Sequence, residues 1–149
     1  MRAIIQRVTH GKVTIDDSIY SEINRGYVIL LGIFSNDDEK DMHKIIPKLL
    51  NLRIMGDHQD KMNLSILDIK GEILVVSQFT LCADVQKGRR PSFINAKNPT
   101  EANKLYEQFV SELKKSGLLV KTGVFGAKMN VEIQNDGPVT ILLDSHELT

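Results

Sequence analysis

The chain has 149 residues, of which 42% are hydrophobic and 26% are charged, as in an ordinary globular protein. Its 19 basic and 19 acidic side chains give a formal net charge of zero, so no overall field attracts DNA or a membrane surface. We expect a single domain covering residues 1–149, because this length suits one hydrophobic core.

Three further features predict a cytoplasmic protein without a membrane segment. The single cysteine, Cys82, excludes an internal disulfide and is typical of a reducing compartment. The first residues, MRAIIQR, include charges and lack the apolar core of a signal peptide. No apolar run approaches the roughly 20 residues that a membrane-spanning helix needs.

The N-terminal third has the short runs of a β-meander. We expect strands at residues 3–9 and 12–15, separated by a turn at His10 and Gly11, and a third strand at 18–23. Residues 27–34 (YVILLGIF) are almost wholly apolar, which predicts a central strand that is buried on both faces.

Two helices are marked by their end signals. Residues 35–38 supply an N-cap and acids for the first, whose apolar positions recur at i, i+3 and i+4. Pro47 lies inside this pattern and predicts a kink or a split into two helices. For the second helix, Asn98 is the predicted cap, Pro99 fits the first position and Gly117 follows the end.

The remaining chain is predicted to form strands at residues 64–69, 73–76, 118–122, 130–134 and 139–143, with a turn at 135–138. Many strands with two separated helices indicate an α+β fold. We expect a compact, β-barrel-like sheet with both helices on one side.

A polar group follows the buried run at residues 73–76. Ser77, Gln78 and Thr80 could satisfy backbone groups at the strand end, or they could line a pocket for an ester or acyl group. In the second reading, the backbone N–H groups of Phe79 and Thr80 would stabilise a developing oxyanion. No G-x-S-x-G segment occurs and no histidine is tied to these hydroxyls by spacing, so a Ser-His-Asp triad is not indicated.

Other candidate residues have an ordinary and a functional interpretation. Lys87, Arg89 and Arg90 could be a solvated loop face or could hold the phosphates of a nucleic-acid end. Cys82 could be a packed residue or a nucleophile. The four histidines show no metal-ligand spacing, so we expect neither a metal nor another cofactor.

Two segments resemble the signature motifs of the D-aminoacyl-tRNA deacylase family. These are SQFTL at residues 77–81 and NDGPVT at residues 135–140, and both occur in the family's order and spacing. Supporting matches are QRV at 6–8, GRRPSF at 88–93 and FGAKM at 125–129. The resemblance runs from Met1 to near the C-terminus.

The resemblance implies an enzyme that hydrolyses D-aminoacyl-tRNA, and also glycyl-tRNA mischarged on tRNA-Ala, at the 3′ acceptor end. It further implies a β-barrel-like homodimer whose active sites lie at the subunit interface. Gly137 and Pro138 would correspond to a Gly–cis-Pro pair that enters the other subunit's pocket and excludes L-amino acids. Without the resemblance, this dipeptide would be an ordinary turn.

The resemblance also assigns the remaining site residues. Catalytic positions in the aminoacyl pocket would be Ser77, Gln78, Phe79 and Thr80. Arg7 would fix the Gly-Pro segment, and Phe125 and Met129 would lie near the terminal adenosine. In the family the 2′-hydroxyl of the terminal ribose is thought to help activate water, which suits a sequence without an evident catalytic base.

Alternatives stay open at this point. Thr80 could act through its backbone N–H, which we favour, or through its hydroxyl. The chain could be a binding module for the tRNA acceptor end that performs no chemistry. It could also be a general esterase that uses Thr80 or Cys82.

Overall fold

A computed structural model describes residues 1–149. A short 3-10 helix, Phe79–Cys82, follows the sixth of eight strands. The other elements, in chain order, are β1 (Arg2–Ile15), β2 (Ser18–Ile23), β3 (Gly26–Gly32), α1 (Glu39–Asn51), β4 (Met55–Gly56), β5 (Met62–Leu64), β6 (Glu72–Ser77), α2 (Pro99–Lys114), β7 (Val120–Thr122) and β8 (Asn130–Asp144).

Six strands form one sheet that is organised around β1. One edge of β1 pairs antiparallel with β8, and the opposite edge pairs first with β3 and then with β2. Strand β6 lies parallel to β3, and β7 lies parallel to β6. The ends of the sheet approach each other, because the Ser21 hydroxyl of β2 donates to the Thr122 carbonyl of β7 at 2.7 Å. The predicted barrel-like α+β fold is confirmed.

The sheet has an apolar cluster on each face. Along β3, Tyr27, Ile29 and Leu31 point to the side that carries both helices, whereas Val28 points to the other side. The helix side holds 23 buried residues and the opposite side holds six, so most of the core lies between the sheet and the helices. Burial on both faces explains why β3 and β6 are almost continuously apolar.

Both helices begin at their predicted caps. Asp38 caps α1 by accepting from the Lys40 N–H at 2.7 Å, and Asn98 caps α2 by accepting from the Glu101 N–H at 3.0 Å. Helix α1 continues through Pro47 and is not split, since its apolar face stays packed in the core. Neither helix combines the length and hydrophobicity required to cross a membrane.

The predicted turn at His10 and Gly11 is wrong. Strand β1 continues through both residues, and Gly11 lies where its neighbour changes from β3 to β2. A Cβ at Gly11 would lie 2.6 Å from Cγ2 of Val28. The glycine therefore marks a close approach between strands and not a reversal of the chain.

The predicted turn at residues 135–138 is also wrong. Strand β8 is continuous and follows β1, with Gln6 opposite Thr140 and Val8 opposite Asn135. Residues 136–139 of β8 thus lie opposite Arg7 alone and form a large bulge, which we call the 136–139 bulge.

The strand predicted at residues 64–69 is wrong beyond its first residue. Strand β5 ends at Leu64, and a turn follows. Both the N–H and the hydroxyl of Ser65 donate to the Asp68 carboxylate at 2.8 Å. These local hydrogen bonds compete with a strand ladder, although four of the six residues from 64 to 69 are leucine or isoleucine.

A buried ion pair joins the start of β1 to the segment before α1. The α-ammonium group of Met1 donates to the Asp37 carboxylate at 2.6 Å and to the Ser145 hydroxyl at 2.7 Å. Neither charged group of the pair is exposed to solvent. The Asp37 carboxylate also accepts from the Phe34 N–H at 2.6 Å, so it connects β3, α1 and the end of β8.

We expect Asp37→Asn to lower the free energy of unfolding by about 3–5 kcal/mol, because it leaves a buried ammonium without its counter-ion. Urea denaturation followed by circular dichroism measures this loss. Asp17→Asn is the matched control, since Asp17 is exposed and makes no ion pair. Equal denaturation midpoints for the two variants would contradict the stabilising role of the pair.

Candidate active site

An open cavity of 610 Å³ lies beside the C-terminal ends of β3 and β6. Its walls come from four parts of the chain: these strand ends, the 3-10 helix, the start of α2 and the loop that leads into β8. The lining residues are Leu31, Ile33, Val76, Ser77, Gln78, Phe79, Phe93, Ala96, Lys97, Asn98, Pro99, Ala102, Phe125, Gly126, Ala127, Met129 and Val131.

The first wall follows directly from the end of β6. The Gln78 N–H donates to the Leu31 carbonyl at 2.8 Å, which keeps the chain against β3 as it enters the 3-10 helix. Gly32 allows this contact, because a Cβ there would lie 2.8 Å from Cβ of Leu81. Ser77, Gln78 and Phe79 consequently line the cavity.

The 3-10 helix leaves two amide groups outside its own hydrogen bonds. Leu81 is the first residue whose N–H finds an acceptor in the turn, the Gln78 carbonyl at 3.1 Å. The N–H groups of Phe79 and Thr80 precede it and have no acceptor within the helix. Amides of this kind can donate to an oxyanion.

The side chain of Thr80 is exposed and does not line the cavity. Its hydroxyl accepts a short hydrogen bond from the Gln78 side-chain amide. The side chains of Ser77, Gln78 and Thr80 make no hydrogen bond to the backbone. The reading in which these residues only satisfy backbone groups at a strand end is therefore wrong.

An aromatic pair continues this wall. The rings of Phe79 and Phe93 meet edge to face with centroids 5.0 Å apart, and Phe79 is 59% exposed. A large exposed aromatic at a cavity mouth is suited to contact a planar or apolar ligand group.

Another wall of the cavity holds Phe125 and Met129. The Phe125 ring packs against the Tyr106 ring of α2, with centroids 5.9 Å apart. The Tyr106 hydroxyl in turn donates to the Val75 carbonyl at 2.8 Å. Gly123 makes room for the Met129 thioether, because a Cβ there would lie 2.5 Å from the sulfur. Phe125 is thus held by α2 and β6, whereas Met129 packs beside Gly123 at the end of β7.

A third wall was not predicted. Residues 95–97 join the end of β3, where the Lys97 N–H donates to the Ile33 carbonyl at 3.0 Å. The Lys97 ammonium donates to the Ser35 carbonyl at 2.8 Å. This arrangement brings Asn98 and Pro99 to the cavity. Their sequence signal indicates only a helix start, and nothing local places that start beside β6.

Gly137 and Pro138 do not line the cavity of their own chain. Both are exposed in the 136–139 bulge, and the peptide bond between them is cis. The Arg7 guanidinium holds the bulge: Nε lies 3.2 Å from the Asp136 carbonyl and 3.1 Å from its carboxylate, and Nη1 donates to the Ile54 carbonyl at 2.8 Å. Arg7 thus binds the residue that precedes Gly137, and its role in the reaction stays a prediction.

Cys82 is the last residue of the 3-10 helix and is buried among the hydrophobic core residues. Burial, reinforced by the nearby Asp37 carboxylate, raises the pKa of the Cys82 thiol to about 11. The thiol is therefore protonated at neutral pH, which argues against the nucleophilic reading.

Three potential ligand groups cluster elsewhere. Side-chain atoms of Asp37, Asp41 and His146 lie within 4.8 Å of one another. The Met1 ammonium already lies 2.6 Å from the Asp37 carboxylate and supplies the positive charge at this cluster. We therefore treat it as part of the buried ion pair.

Comparison with known sequences gives a consistent result. The profile of the family described as D-Tyr-tRNA(Tyr) deacylase matches residues 4–144. The chain belongs to the D-aminoacyl-tRNA deacylase family. It is 57% identical over 145 residues to a D-aminoacyl-tRNA deacylase of Clostridioides difficile (strain 630), with 97% of each chain covered. It is 55% identical over 148 residues to that of Aquifex aeolicus (strain VF5), with 99% of this chain and 100% of the relative covered.

Solved structures share the fold. One, named c-Myc DNA Unwinding Element Binding Protein, is 44% identical with a TM-score of 0.91 and covers 97% of this chain and 98% of its own. Another, described as a probable eukaryotic D-amino acid tRNA deacylase, has a TM-score of 0.81 at 20% identity. The match covers 96% of this chain and 98% of the solved one. At that identity the second match shows the fold alone.

Family membership confirms the predicted resemblance. Within one chain, the two signature segments lie at different places. SQFTL borders the cavity, whereas NDGPVT forms the bulge on β8, outside the same chain's cavity. The roles of the individual site residues in the deacylase reaction stay predictions.

We expect Cys82 to resist alkylation by iodoacetamide in the folded protein at pH 8, because a pKa of about 11 leaves about one thiol in a thousand ionised. Reactivity should rise as the pH approaches 11 or when urea unfolds the chain. Mass spectrometry of native and unfolded samples measures both rates. Modification of the native protein as fast as free cysteine would contradict the buried placement.

Proposed function

We propose that this protein hydrolyses the ester bond of D-aminoacyl-tRNA in the cytoplasm, releasing the free D-amino acid and tRNA. Membership of the D-aminoacyl-tRNA deacylase family makes it a hydrolase of ester bonds. Glycyl-tRNA mischarged on tRNA-Ala is a second proposed substrate, and L-aminoacyl esters are spared.

One observation carries the proposal: the cavity offers amide donors but no strong base. None of its lining residues is an acid, a histidine or a cysteine. Its only ionisable amine, Lys97, is 11% exposed and is bound to the Ser35 carbonyl. Such a site suits an activated ester, whose hydrolysis depends on positioning and on stabilisation of the oxyanion.

In the proposed mechanism, the aminoacyl group lies against Ser77, Gln78 and Phe79, and the terminal adenosine lies between Phe125 and Met129. Water attacks the ester carbonyl, assisted by the 2′-hydroxyl of the terminal ribose. The backbone N–H groups of Phe79 and Thr80 donate to the oxyanion as it forms. The Thr80 hydroxyl, already engaged by the Gln78 amide, has a secondary role.

Chiral selection is proposed to come from a homodimer. The exposed Gly137-Pro138 segment of one subunit would enter the cavity of the other and place backbone carbonyls where an L side chain would lie. Two features support this arrangement: the bulge is absent from its own chain's cavity, and the outer edge of β8 pairs with no strand. Rejection by steric clash would spare L esters, whereas glycine has no side chain to reject.

A general esterase that uses Thr80 or Cys82 is less well supported. The Cys82 thiol is buried and protonated, and no histidine lines the cavity to activate the Thr80 hydroxyl. A module that only binds the tRNA acceptor end would have the same fold. It would differ from the proposed enzyme in that it does not hydrolyse the ester.

We expect a catalytic amount of the protein to remove D-tyrosine from tRNA, while L-tyrosyl-tRNA decays at the rate without enzyme. A paired time course with acid-precipitable radiolabelled tyrosine on one tRNA measures both reactions. The double variant Thr80→Ala, Cys82→Ala should retain activity, because neither side chain serves as the nucleophile.

Each alternative has its own outcome. Equal hydrolysis of the two esters would favour a general esterase, and loss of all activity in the double variant would assign its nucleophile to Thr80 or Cys82. Binding without hydrolysis of either ester would identify a binding module.

We expect Arg7→Lys to lower kcat/KM on the D ester by about 10- to 100-fold, because lysine cannot hold both the Asp136 and Ile54 carbonyls. The variant keeps the charge and the strand position, so a matching urea midpoint would separate loss of positioning from unfolding. Arg53→Lys, on the exposed loop before β4, is the control. Unchanged kinetics in Arg7→Lys would refute the positioning role.

A further inference from the structure

One loop beside the cavity carries positive charge that no other part of the protein neutralises. Residues 85–91 (VQKGRRP) form this loop, which we call the basic loop. It contains Lys87, Arg89 and Arg90 and no acid, so its net charge is +3 in a chain whose net charge is zero. All three side chains are exposed, and none forms an ion pair or a hydrogen bond within the protein.

The base of the basic loop is fixed although its tip is free. Asp84 and Ser92 exchange two backbone hydrogen bonds of 2.8 and 2.9 Å, which close the loop like a short hairpin. The Asp84 carboxylate accepts from the Gln86 N–H at 2.9 Å and so is engaged at the base. Gly88 lies at the tip with a φ of +73°, and a Cβ there would have no atom within 4 Å. The cations therefore project into solvent from an ordered support.

This support is continuous with the cavity wall. The residue after Ser92 is Phe93, which lines the cavity and packs edge to face against Phe79. A loop of seven residues extends about 10 Å from its base, since each leg spans three residues at roughly 3.3 Å. A reach of about 10 Å corresponds to about three nucleotides at the roughly 3.4 Å rise of a stacked strand.

We propose that the basic loop binds the phosphodiester backbone of the nucleotides that precede the terminal adenosine of the substrate RNA. This inference rests on the proposed function, which places that adenosine between Phe125 and Met129. Arginine and lysine side chains bind phosphate oxygens without contacting a base, so the contact is independent of RNA sequence. Lys128, exposed between cavity residues Ala127 and Met129, adds a cation at the opposite wall.

The contact gives the enzyme a means of preferring an ester on RNA to the same ester on a small molecule. The proposed function places one nucleoside and its aminoacyl group in the cavity, whose lining contains a single cation that is already bound. Affinity for the polynucleotide must then come from outside the cavity, where the basic loop and Lys128 supply exposed cations without an ion-pair partner.

The test compares two D-tyrosyl esters with the full chain: D-tyrosyl-tRNA and 2′(3′)-O-D-tyrosyl-adenosine, which lacks internucleotide phosphates. The variant is the triple substitution Lys87→Gln, Arg89→Gln, Arg90→Gln. We expect KM for D-tyrosyl-tRNA to rise while kcat is unchanged, and we expect kinetics on the adenosine ester to match those of the unsubstituted protein.

Salt dependence gives a second readout. Loss of three phosphate contacts should reduce the slope of log(kcat/KM) against log[salt] by about 2, at roughly 0.7 per phosphate on a single strand. Between 50 and 200 mM salt, kcat/KM of the unsubstituted protein on tRNA should therefore fall about 20-fold more than that of the variant. The control variant Lys40→Gln, Lys48→Gln, Lys61→Gln removes three exposed, unpaired lysines that do not line the cavity.

The outcomes separate the two proposals. If the unsubstituted protein cleaves neither ester, the proposed function is wrong. If it cleaves both and the loop variant keeps its KM and salt slope on tRNA, the phosphate contact is wrong. A variant that loses activity equally on both esters would also overturn it, because the loop would then act only by supporting Phe93 in the cavity wall.

Discussion

The pairing of β1 with three other strands is the constraint on which the structure depends. One edge of β1 follows β8 for almost its whole length, while the other edge passes from β3 to β2. The change of partner forces the sheet to curve, and it requires the absence of a side chain at Gly11. Because β3 and β6 end beside each other in this curved sheet, the cavity opens at their C-terminal ends.

Local signals were sufficient wherever a short stretch determines its own structure. Caps at Asp38 and Asn98 located both helices, and the apolar run before Ser77 located the central strand. The failures have a common cause in long-range pairing. Gly11 and the Gly137-Pro138 dipeptide have turn chemistry, yet Gly11 lies in a strand that is paired on both edges, and the dipeptide forms a bulge within β8. At Ser65 a strand was predicted and a turn is found, because local hydrogen bonds to Asp68 end the strand.

The site could be predicted in part for a similar reason. Residues 77–79, Phe125 and Met129 were indicated through their motifs, and the structure brings them into one cavity. The wall at Lys97 and Asn98 depends on backbone hydrogen bonds to the end of β3, about sixty residues earlier in the chain. A pattern within a short stretch of sequence does not indicate a hydrogen bond to such a distant residue. The position of the Gly137-Pro138 segment relative to a second copy likewise depends on a surface and not on the sequence of the segment.

The 136–139 bulge has a consequence for how β8 meets other chains. A 15-residue edge strand presents a row of unpaired backbone groups, and such rows template uncontrolled strand addition between molecules. The bulge interrupts the row midway, and Pro138 removes one donor from it, so a foreign strand cannot pair in register along the whole edge. The segment proposed to discriminate between amino-acid enantiomers thereby also protects the protein against aggregation through its longest exposed edge.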